Sequence, residues 1–258
     1  MELSWELTGE QGPVICLVHP LGMDRHFWDW LQADLSIPVT WLLVDLPGHG
    51  ASPLPGDAYT IEDVADGIAE IVDREGLSPI HVLGSSFGGL VALAFGQRHR
   101  PLTSSIVVAD STPRYAEGFG WPERASAVRS RGLEPLVQGT LERWFSPAAQ
   151  DVAPAQVDYV RSRLLATDPE GYALACEALG AADLTPHLSE MDLPALIIAG
   201  TDDVLASDSQ LMADNLPRAS LVWLPGGRHG APLELQREFA GAVNQFLRNY
   251  LKGGEDGR

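Results

Sequence analysis

The sequence predicts an α/β fold in which a mostly parallel sheet is flanked by helices and carries a helical insertion. Three observations lead to this prediction: short apolar runs, helix-like segments between them, and a long middle stretch without any strand-like run. Short apolar runs bounded by Gly, Pro or Asp are typical of parallel strands that are covered on both faces. Their alternation with helical segments indicates βαβ units.

The predicted elements follow the hydrophobic pattern. Residues 61–74 have apolar side chains at i, i+3, i+4 and i+7 spacing, with Thr60 as N-cap and Asp63 three positions later. Further core helices are predicted over 86–98 and 233–247. The predicted buried strands are 14–18, 41–44, 80–83, 105–109, 195–199 and 221–224, with an edge strand at 4–7.

The alternation of strands and helices stops between residues 115 and 184. Four helical stretches are predicted there, and Pro122, Pro154 and Pro169 lie at first-turn positions where proline is tolerated. An insertion of about 70 residues is too long for a simple loop. We therefore predict a helical cap over 115–184 and a core of 1–114 and 185–258, with the cap above the C-terminal edge of the sheet, where α/β folds bind ligands. The cap helices are predicted at 122–131, 133–145, 154–166 and 169–182.

A nucleophile pattern follows the predicted strand 80–83. The chain reads Gly84-Ser85-Ser86-Phe87-Gly88-Gly89 and continues into a helix, which places G-x-S-x-G between a strand and a helix. In that context the central serine lies on a strained turn with its hydroxyl exposed, and the small residues allow strand and helix to approach. Ser86 is the predicted nucleophile, and Ser85 lies off the tip of the turn.

An acid and a base follow the later strands. Strand 195–199 is followed by Gly200-Thr201-Asp202-Asp203, and strand 221–224 by a loop that contains His229. The order Ser, Asp, His is that of a hydrolytic triad on this kind of sheet. His229 is the predicted base and Asp203 the predicted orienting acid. Asp202 and Asp110, which ends the strand 105–109, remain alternatives for the acid.

Backbone N–H groups are predicted to stabilise the oxyanion. One donor is the N–H of Phe87, the residue after the nucleophile. The second comes from the loop after strand 14–18, which reads His19-Pro20-Leu21-Gly22. Pro20 has no N–H, so Leu21 is the predicted donor, and His19 is expected to orient the loop through hydrogen bonds.

These motifs together resemble the α/β-hydrolase superfamily, and most closely the 3-oxoadipate enol-lactonases. The resemblance covers nearly the whole chain and includes Asp45-Leu46-Pro47-Gly48-His49-Gly50 and the cap phrases Arg131-Gly132-Leu133-Glu134-Pro135-Leu136 and Glu142-Arg143-Trp144-Phe145. It implies hydrolysis of a small lactone that carries a carboxylate. The chain departs from the family in His19-Pro20, where Asn-Ser is usual, and in the loop around His229.

Substrate-binding candidates come from the cap and the oxyanion loop. Trp121 and Trp144 in the cap, and Phe27 and Trp28 after the loop, are predicted to line a pocket or to pack helix against sheet. One or two cap arginines are expected to bind a substrate carboxylate, because a guanidinium suits bidentate contact. The main candidates are Arg131 and Arg143, beside Arg129, Arg161 and Arg163, and ion pairing on the helix surface is the competing explanation for each.

Composition limits the partners. The formal net charge of −18 repels nucleic acid and anionic membranes, so we expect a small-molecule substrate and neither of those partners. No apolar run approaches the roughly 18–20 residues of a membrane span, and no signal peptide is visible, which predicts a cytoplasmic location. Neither metal nor cofactor is expected, and the protein is expected to be a monomer or a homodimer.

The predicted function is a serine hydrolase that cleaves a small lactone or carboxylic ester through an acyl-enzyme. The same triad also serves C–C bond hydrolysis of a 1,3-dicarbonyl compound, or a lyase or synthase reaction that abstracts a proton without water. A degenerate hydrolase that only binds a ligand is the non-enzymatic alternative. Because a fold hosts several chemistries, these alternatives stay open at this point.

Overall fold

The computed structural model describes residues 1–251, and within them one seven-stranded sheet forms the centre of the molecule. The strand order is β1-β3-β2-β4-β5-β6-β7, with β1 antiparallel to β3 and the other neighbours parallel. The strands are β1 (Trp5–Gly9), β2 (Val14–Val18), β3 (Thr40–Val44), β4 (Ile80–Ser85), β5 (Thr103–Ala109), β6 (Ala195–Gly200) and β7 (Ala219–Leu224).

The predicted mostly parallel sheet is confirmed, and two strands differ in detail. The edge strand β1 begins at Trp5 and extends to Gly9, because Gly9 pairs with Thr40 of β3. β7 was predicted as a buried strand, but it forms the other edge of the sheet and is partly exposed. The strands between the edges are buried nearly throughout, as expected for a sheet covered by helices on both faces.

Helices cover both faces of the sheet. The predicted capping box is present: Asp63 N–H donates to Thr60 Oγ1 at 3.1 Å, and Thr60 N–H donates to Asp63 Oδ2 at 2.8 Å. Two core helices, α1 and α9, were not predicted from the pattern. The core helices are α1 (Asp29–Asp34), α2 (Ile61–Glu75), α3 (Phe87–Arg98), α9 (Ala206–Asn215), α10 (Ala231–Glu234) and α11 (Gln236–Leu251).

The connection between β5 and β6, residues 110–194, contains helices joined by turns and has no strand. Its helices are α4 (Trp121–Arg131), α5 (Val137–Trp144), α6 (Pro147–Val152), α7 (Pro154–Ala166) and α8 (Pro169–Ala181), and α4 packs against α8. The helix predicted over 133–145 is interrupted: Glu134–Leu136 forms a 3₁₀ turn around Pro135, and α5 starts only after it. Residues 252–258, the end of the predicted core range, lie outside the described residues.

A buried ion pair joins the loop after β2 to the loop after β3. The Asp45 carboxylate accepts hydrogen bonds from Arg25 N at 2.7 Å, Arg25 Nε at 2.9 Å and Ala51 N at 2.9 Å. Burial alone raises the pKa of Asp45, but the Arg25 guanidinium and these N–H donors outweigh it and lower the pKa. Gly50 has φ +53, and a Cβ there would lie 2.4 Å from the Asp45 carboxyl carbon. The segment after β2 that contains Arg25 is therefore held firmly against the loop after β3.

None of the helices within residues 1–251 combines the length and the hydrophobicity that a membrane span requires.

Replacement of Asp45 by Asn is expected to lower the free energy of unfolding by about 3 kcal/mol, because it leaves the Arg25 charge without its partner. Urea denaturation of the variant at pH 7 measures this loss, with the exposed Asp57→Asn as the matched control. The Asp45 contribution is complete above the unfolded-state pKa of about 3.9. It is lost as the pH falls through the lowered folded-state pKa. Equal stability of the two variants at pH 7 contradicts this interpretation.

Candidate active site

Ser86 lies on a sharp turn between β4 and α3. Its backbone has φ 54 and ψ −112, and only one other non-glycine residue in the described chain, Asp110, has a positive φ. A Cβ on Gly84 would lie 1.9 Å from Gly88 O, and a Cβ on Gly88 would lie 2.1 Å from Val18 O. The glycines of the motif therefore permit a backbone approach that any side chain would block, and this approach directs Ser86 Oγ away from the sheet.

His229 lies between Ser86 and Asp203. His229 Nε2 is 3.0 Å from Ser86 Oγ, and His229 Nδ1 is 3.1 Å from each oxygen of Asp203. An ionised carboxylate only accepts hydrogen bonds, so Nδ1 carries the proton and Nε2 accepts from the serine hydroxyl. The order of roles is that of a nucleophile, a base and an orienting acid.

The two alternative acids lie elsewhere. Asp202 is exposed and accepts from Thr201 Oγ1 at 3.1 Å in the turn after β6. Asp110 is buried, and its Oδ1 accepts the N–H of Gly200 at 3.0 Å. Asp203 is the aspartate that the structure places against the imidazole of His229.

The pKa values of the two buried carboxyl groups, Asp203 and Asp110, shift in opposite directions. Burial raises the pKa of Asp203, but the charge and hydrogen bond of His229 outweigh it, so the pKa of Asp203 lies below its usual range. Burial and the neighbouring charge of Asp203 raise the pKa of Asp110 well above its usual range. The negative charge at this edge of the sheet is thereby concentrated on the carboxylate that faces His229.

One predicted oxyanion donor directly follows Ser86 in the chain, and the other lies in the wall of the same cavity. Phe87 is the first residue of α3, where a backbone N–H has no partner within the helix. Leu21 lines the same cavity as Ser86. His19 orients the loop that contains Leu21: its Nδ1 contacts Pro20 O at 2.9 Å, and its Nε2 accepts the N–H of Leu46 at 2.9 Å. This loop is therefore fixed against the loop after β3.

Cap helix α7 also holds the oxyanion loop. The Asp24 carboxylate accepts from Tyr159 Oη at 2.8 Å and from Arg163 Nη1 at 3.0 Å. Thr167 Oγ1, just after α7, donates to Gly22 O at 3.1 Å. Gly22 has φ +80, and a Cβ there would lie 2.8 Å from Leu164 Cδ1. The cap thus packs directly against the loop that supplies the predicted second oxyanion donor.

The end of α5 is bonded to the histidine loop. His229 N–H donates to Arg143 O at 3.3 Å, and Gly230 N–H donates to Trp144 O at 3.1 Å. Arg228 Nη1 donates to Glu142 O at 2.6 Å. The position of the base therefore depends on a cap helix as well as on β7.

A cavity of about 50 Å³ opens above Ser86 between the sheet edge and the cap. Three of the predicted substrate-binding residues, Trp121, Arg143 and Trp144, line it. Leu21, Ser86 and His229, which are predicted for catalysis, also line it. The sequence analysis did not identify the remaining wall residues, several of which are aromatic or charged. The missed residues are Tyr115, Phe119, Arg124, Thr140, Leu164, Tyr172 and Val204.

Two of the missed residues had a usable signal. Arg124 is three positions after Trp121, which places both on one face of a helix, and its guanidinium stacks 5.1 Å from the Trp121 ring centroid. Tyr115 follows shortly after the C-terminal end of β5, the edge at which ligands bind in such sheets. Tyr172 lies within α8, and the helical pattern alone does not distinguish it from a packing residue.

Three predicted substrate-binding residues lie outside the cavity lining. Phe27 and Trp28 are fully buried, and Phe27 packs edge-on against Trp28 and Trp144 at 4.7 and 6.2 Å between ring centroids. They support the wall behind Trp144 and do not reach the cavity. Arg131 is exposed in the last turn of α4. Two other cap arginines are ion-paired elsewhere, since Arg129 contacts glutamates of α8 and Arg163 contacts Asp24.

Two half-buried arginines, Arg143 and Arg124, lie in the cavity wall. Burial lowers the pKa of Arg143, and the nearby guanidinium of Arg124 lowers it further. Neither guanidinium lies within 4.0 Å of a carboxylate oxygen of the described chain. Two like charges at one small cavity create a positive potential that an anionic group would neutralise.

The strained serine turn on a mostly parallel sheet, with a histidine and an aspartate from the later strands, defines an α/β hydrolase. The chain belongs to the alpha/beta hydrolase family, whose model matches residues 17–242. The predicted superfamily, fold class and enzyme class are thereby confirmed.

Individual relatives in this family are named for different activities. The chain is 32% identical to 3-oxoadipate enol-lactonase 1 of Acinetobacter baylyi, over 83% of this chain and 81% of that protein. It is 30% identical to a pimeloyl-[acyl-carrier protein] methyl ester esterase of Aeromonas hydrophila, over 96% of this chain and all of that protein. The crystal structure of the enol-lactonase from Burkholderia xenovorans LB400 superimposes with a TM-score of 0.91 at 31% identity, covering 95% of this chain and 96% of that one.

Replacement of Gly230 by Ala is expected to lower kcat/KM for an activated ester by about 10–100-fold, because small displacements of a reacting group are costly. The new Cβ would lie 2.7 Å from Trp144 O and 2.9 Å from Trp144 Cβ, so the histidine loop and α5 must separate. Gly139→Ala in α5 is the control, since a Cβ at Gly139 meets no atom within 4 Å. It should keep full activity and gain about 0.5–1 kcal/mol of stability. Full activity of Gly230→Ala refutes the coupling.

Proposed function

We propose that the protein hydrolyses a small lactone or carboxylic ester that carries a second, negatively charged group, through a Ser86–His229–Asp203 triad. The observation that carries the proposal is that one cavity is lined by both Ser86 and the half-buried Arg143, whose guanidinium has no carboxylate partner within the described residues. The names of the enol-lactonase relatives are in keeping with it.

Acylation uses the contacts around Ser86. The serine hydroxyl transfers its proton to His229 Nε2, at 3.0 Å, as Oγ attacks the carbonyl carbon. Asp203 stabilises the imidazolium that forms, and the N–H groups of Leu21 and Phe87 stabilise the oxyanion. The bond from the carbonyl carbon to the departing oxygen then breaks, and that oxygen takes the proton from His229. In a lactone the departing oxygen remains attached to the acyl chain.

Deacylation reverses the direction of proton transfer. A water molecule gives its proton to His229 Nε2 while its oxygen attacks the acyl carbon. The second tetrahedral intermediate collapses, and Ser86 recovers its proton from His229. The product is a free carboxylic acid, and the base and nucleophile return to their starting states.

Anion recognition is assigned to Arg143, assisted by Arg124. Partial removal of a guanidinium from water is costly unless an opposite charge compensates it, and a carboxylate matches it with two parallel hydrogen bonds. Two neutral phenols lie beside it: burial raises the pKa of both Tyr115 and Tyr172 to about 12, so each remains a hydrogen-bond donor at neutral pH. A short acid that bears the ester at one end and a carboxylate at the other meets both requirements of the cavity.

The size of the cavity favours a small acyl group. A volume of about 50 Å³ accommodates only a few water molecules, which is less space than a long acyl chain requires. The net charge of −18 adds no attraction for an anionic substrate at long range, so recognition depends on the local arginines. The small volume favours an enol-lactonase-like substrate over a long-chain methyl ester.

The nucleophile is tested by turnover and by covalent labelling. Ser86→Ala is expected to lower kcat by about 10⁴-fold or more and to abolish labelling by a fluorophosphonate probe. Ser85→Ala is the matched control, and it should be labelled and active like the wild type. The panel comprises 3-oxoadipate enol-lactone, neutral γ-lactones, p-nitrophenyl esters and a 1,3-diketone.

Each outcome on the panel has a meaning. Ser86-dependent turnover of the charged lactone above its neutral analogues supports the proposal. Preference for the 1,3-diketone replaces ester hydrolysis by C–C bond hydrolysis, and proton abstraction without water incorporation from H₂¹⁸O indicates a lyase. Ligand binding without Ser86-dependent turnover makes the chain a binding protein and refutes the proposal.

Arg143→Gln tests the anion site. The variant is expected to raise KM for the charged substrate by about 10–100-fold, because a charge-assisted hydrogen-bonded pair is lost. KM for a neutral ester of similar size should change less than about threefold. Arg131→Gln, on the exposed end of α4, is the matched control and should leave both KM values unchanged. Equal effects of Arg143→Gln on charged and neutral substrates contradict the assignment.

A further inference from the structure

Tyr115 brings a second hydroxyl to the nucleophile. Its Oη lies 3.5 Å from Ser86 Oγ, and the residue is buried in the wall of the same cavity. We propose that Tyr115 donates a hydrogen bond to the departing oxygen of the substrate and so assists the bond cleavage that follows attack by Ser86. The inference rests on the serine chemistry proposed above and adds a catalytic residue to it.

The Tyr115 ring is held in place by neighbouring aromatic rings. Phe119 and Trp121 pack edge-on against it, with ring centroids 4.8 and 5.0 Å away. The segment from β5 to Tyr115 is also anchored, because Ser111 Oγ donates to Ser86 O at 2.7 Å and Leu184 N donates to Pro113 O at 2.9 Å. The hydroxyl therefore has a defined position relative to Ser86 before substrate binds.

Tyr115 is suited to donate and not to exchange its proton. Burial raises the pKa of Tyr115 to about 12, so the phenol is neutral at physiological pH. The Ser86 hydroxyl donates to His229, which leaves its lone pairs toward Tyr115. A separation of 3.5 Å is long for an O–H···O bond, so the phenol gains by turning to a closer, more negative acceptor. Catalytic hydrogen bonds are often long in the free enzyme and tighten as charge develops.

The order of strands indicates which substrate oxygen Tyr115 contacts. The oxyanion loop with Leu21 follows β2, on one side of β4 and Ser86. Tyr115 follows β5 and His229 follows β7, both on the other side. The oxyanion is thus directed toward the β2 side, and the departing oxygen lies on the side of His229, where Tyr115 is also found.

In the proposed step, the carbon–oxygen bond of the tetrahedral intermediate breaks and its electron pair passes to the departing oxygen. His229 Nε2 transfers its proton to that oxygen, and Tyr115 stabilises the developing negative charge by a hydrogen bond without losing its own proton. The need for this bond grows with the basicity of the leaving group. A poor leaving group depends on Tyr115, whereas p-nitrophenolate, which is stable as an anion, does not.

The test measures kcat/KM for esters of one small acid whose leaving groups range from p-nitrophenol through phenol to methanol. This quantity reports acylation, so slow deacylation does not obscure the result. Tyr115→Phe is expected to lower kcat/KM by less than about threefold for the p-nitrophenyl ester and by about 10–100-fold for the methyl ester. The dependence of log kcat/KM on leaving-group pKa becomes steeper.

Tyr59→Phe is the matched control, because it removes a buried phenol hydroxyl that has no hydrogen-bond partner within the described residues. It should leave the slope unchanged. A uniform loss across all leaving groups in Tyr115→Phe assigns the residue to oxyanion binding or packing and overturns the proposal, as does an unchanged slope. Ser86-dependent hydrolysis by the wild type in the same assays separates either result from a failure of the proposed function.

A second substitution tests the proposal even if the Tyr115→Phe variant does not fold correctly. Incorporation of 3-fluorotyrosine at position 115 keeps the ring and the hydroxyl and makes the phenol a stronger donor. Rates for the methyl ester should rise relative to the p-nitrophenyl ester, so that the slope becomes shallower than in the wild type. An unaltered slope overturns the proposal independently of the first variant.

Discussion

The site depends on the hydrogen bonds that join the histidine loop to the end of cap helix α5. His229 N–H and Gly230 N–H donate to the carbonyls of Arg143 and Trp144, and there is no space for a Cβ on Gly230 at this contact. The residue whose side chain supplies a positive charge to the cavity is therefore also the one whose carbonyl accepts the N–H of the base. A displacement of α5 would move the backbone of Arg143 and the histidine loop together.

A second attachment, between α7 and the oxyanion loop, completes the frame. Asp24 accepts from Tyr159 and Arg163, and Thr167 donates to the carbonyl of Gly22. The sheet edge supplies Ser86, His229 and Asp203, while the cap fixes the loops on either side of them. The cap in this structure thus contributes to the geometry of the reacting groups, in addition to closing the cavity above them.

The sequence predicted the parts of this architecture that obey local rules. The alternation of apolar strands and helices was enough for the sheet, and the glycine spacing around Ser86 was enough for the turn, because any larger residue there would collide with the backbone. The candidates Phe27, Trp28 and Arg131 lie outside the cavity lining, and local rules did not separate them from the residues that line it. An aromatic ring that packs behind a cavity and one that lines it have the same local sequence, and only tertiary contacts separate them. The spacing of Arg124 from Trp121 was a local signal, but its proximity to Arg143 in another helix is a tertiary contact that the sequence does not show.

The pair Asp110 and Asp203 illustrates why motif order alone left more than one candidate for the acid. Both aspartates follow neighbouring strands and both are buried, so their positions along the chain are equally suitable. Their environments differ: Asp203 faces an imidazole, whereas Asp110 accepts the N–H of Gly200 in the turn that leads to Asp203. Two adjacent buried charges of one sign repel, and the raised pKa of Asp110 favours its neutral form. A neutral Asp110 can hold the turn in place and leave the full negative charge on the carboxylate that orients His229.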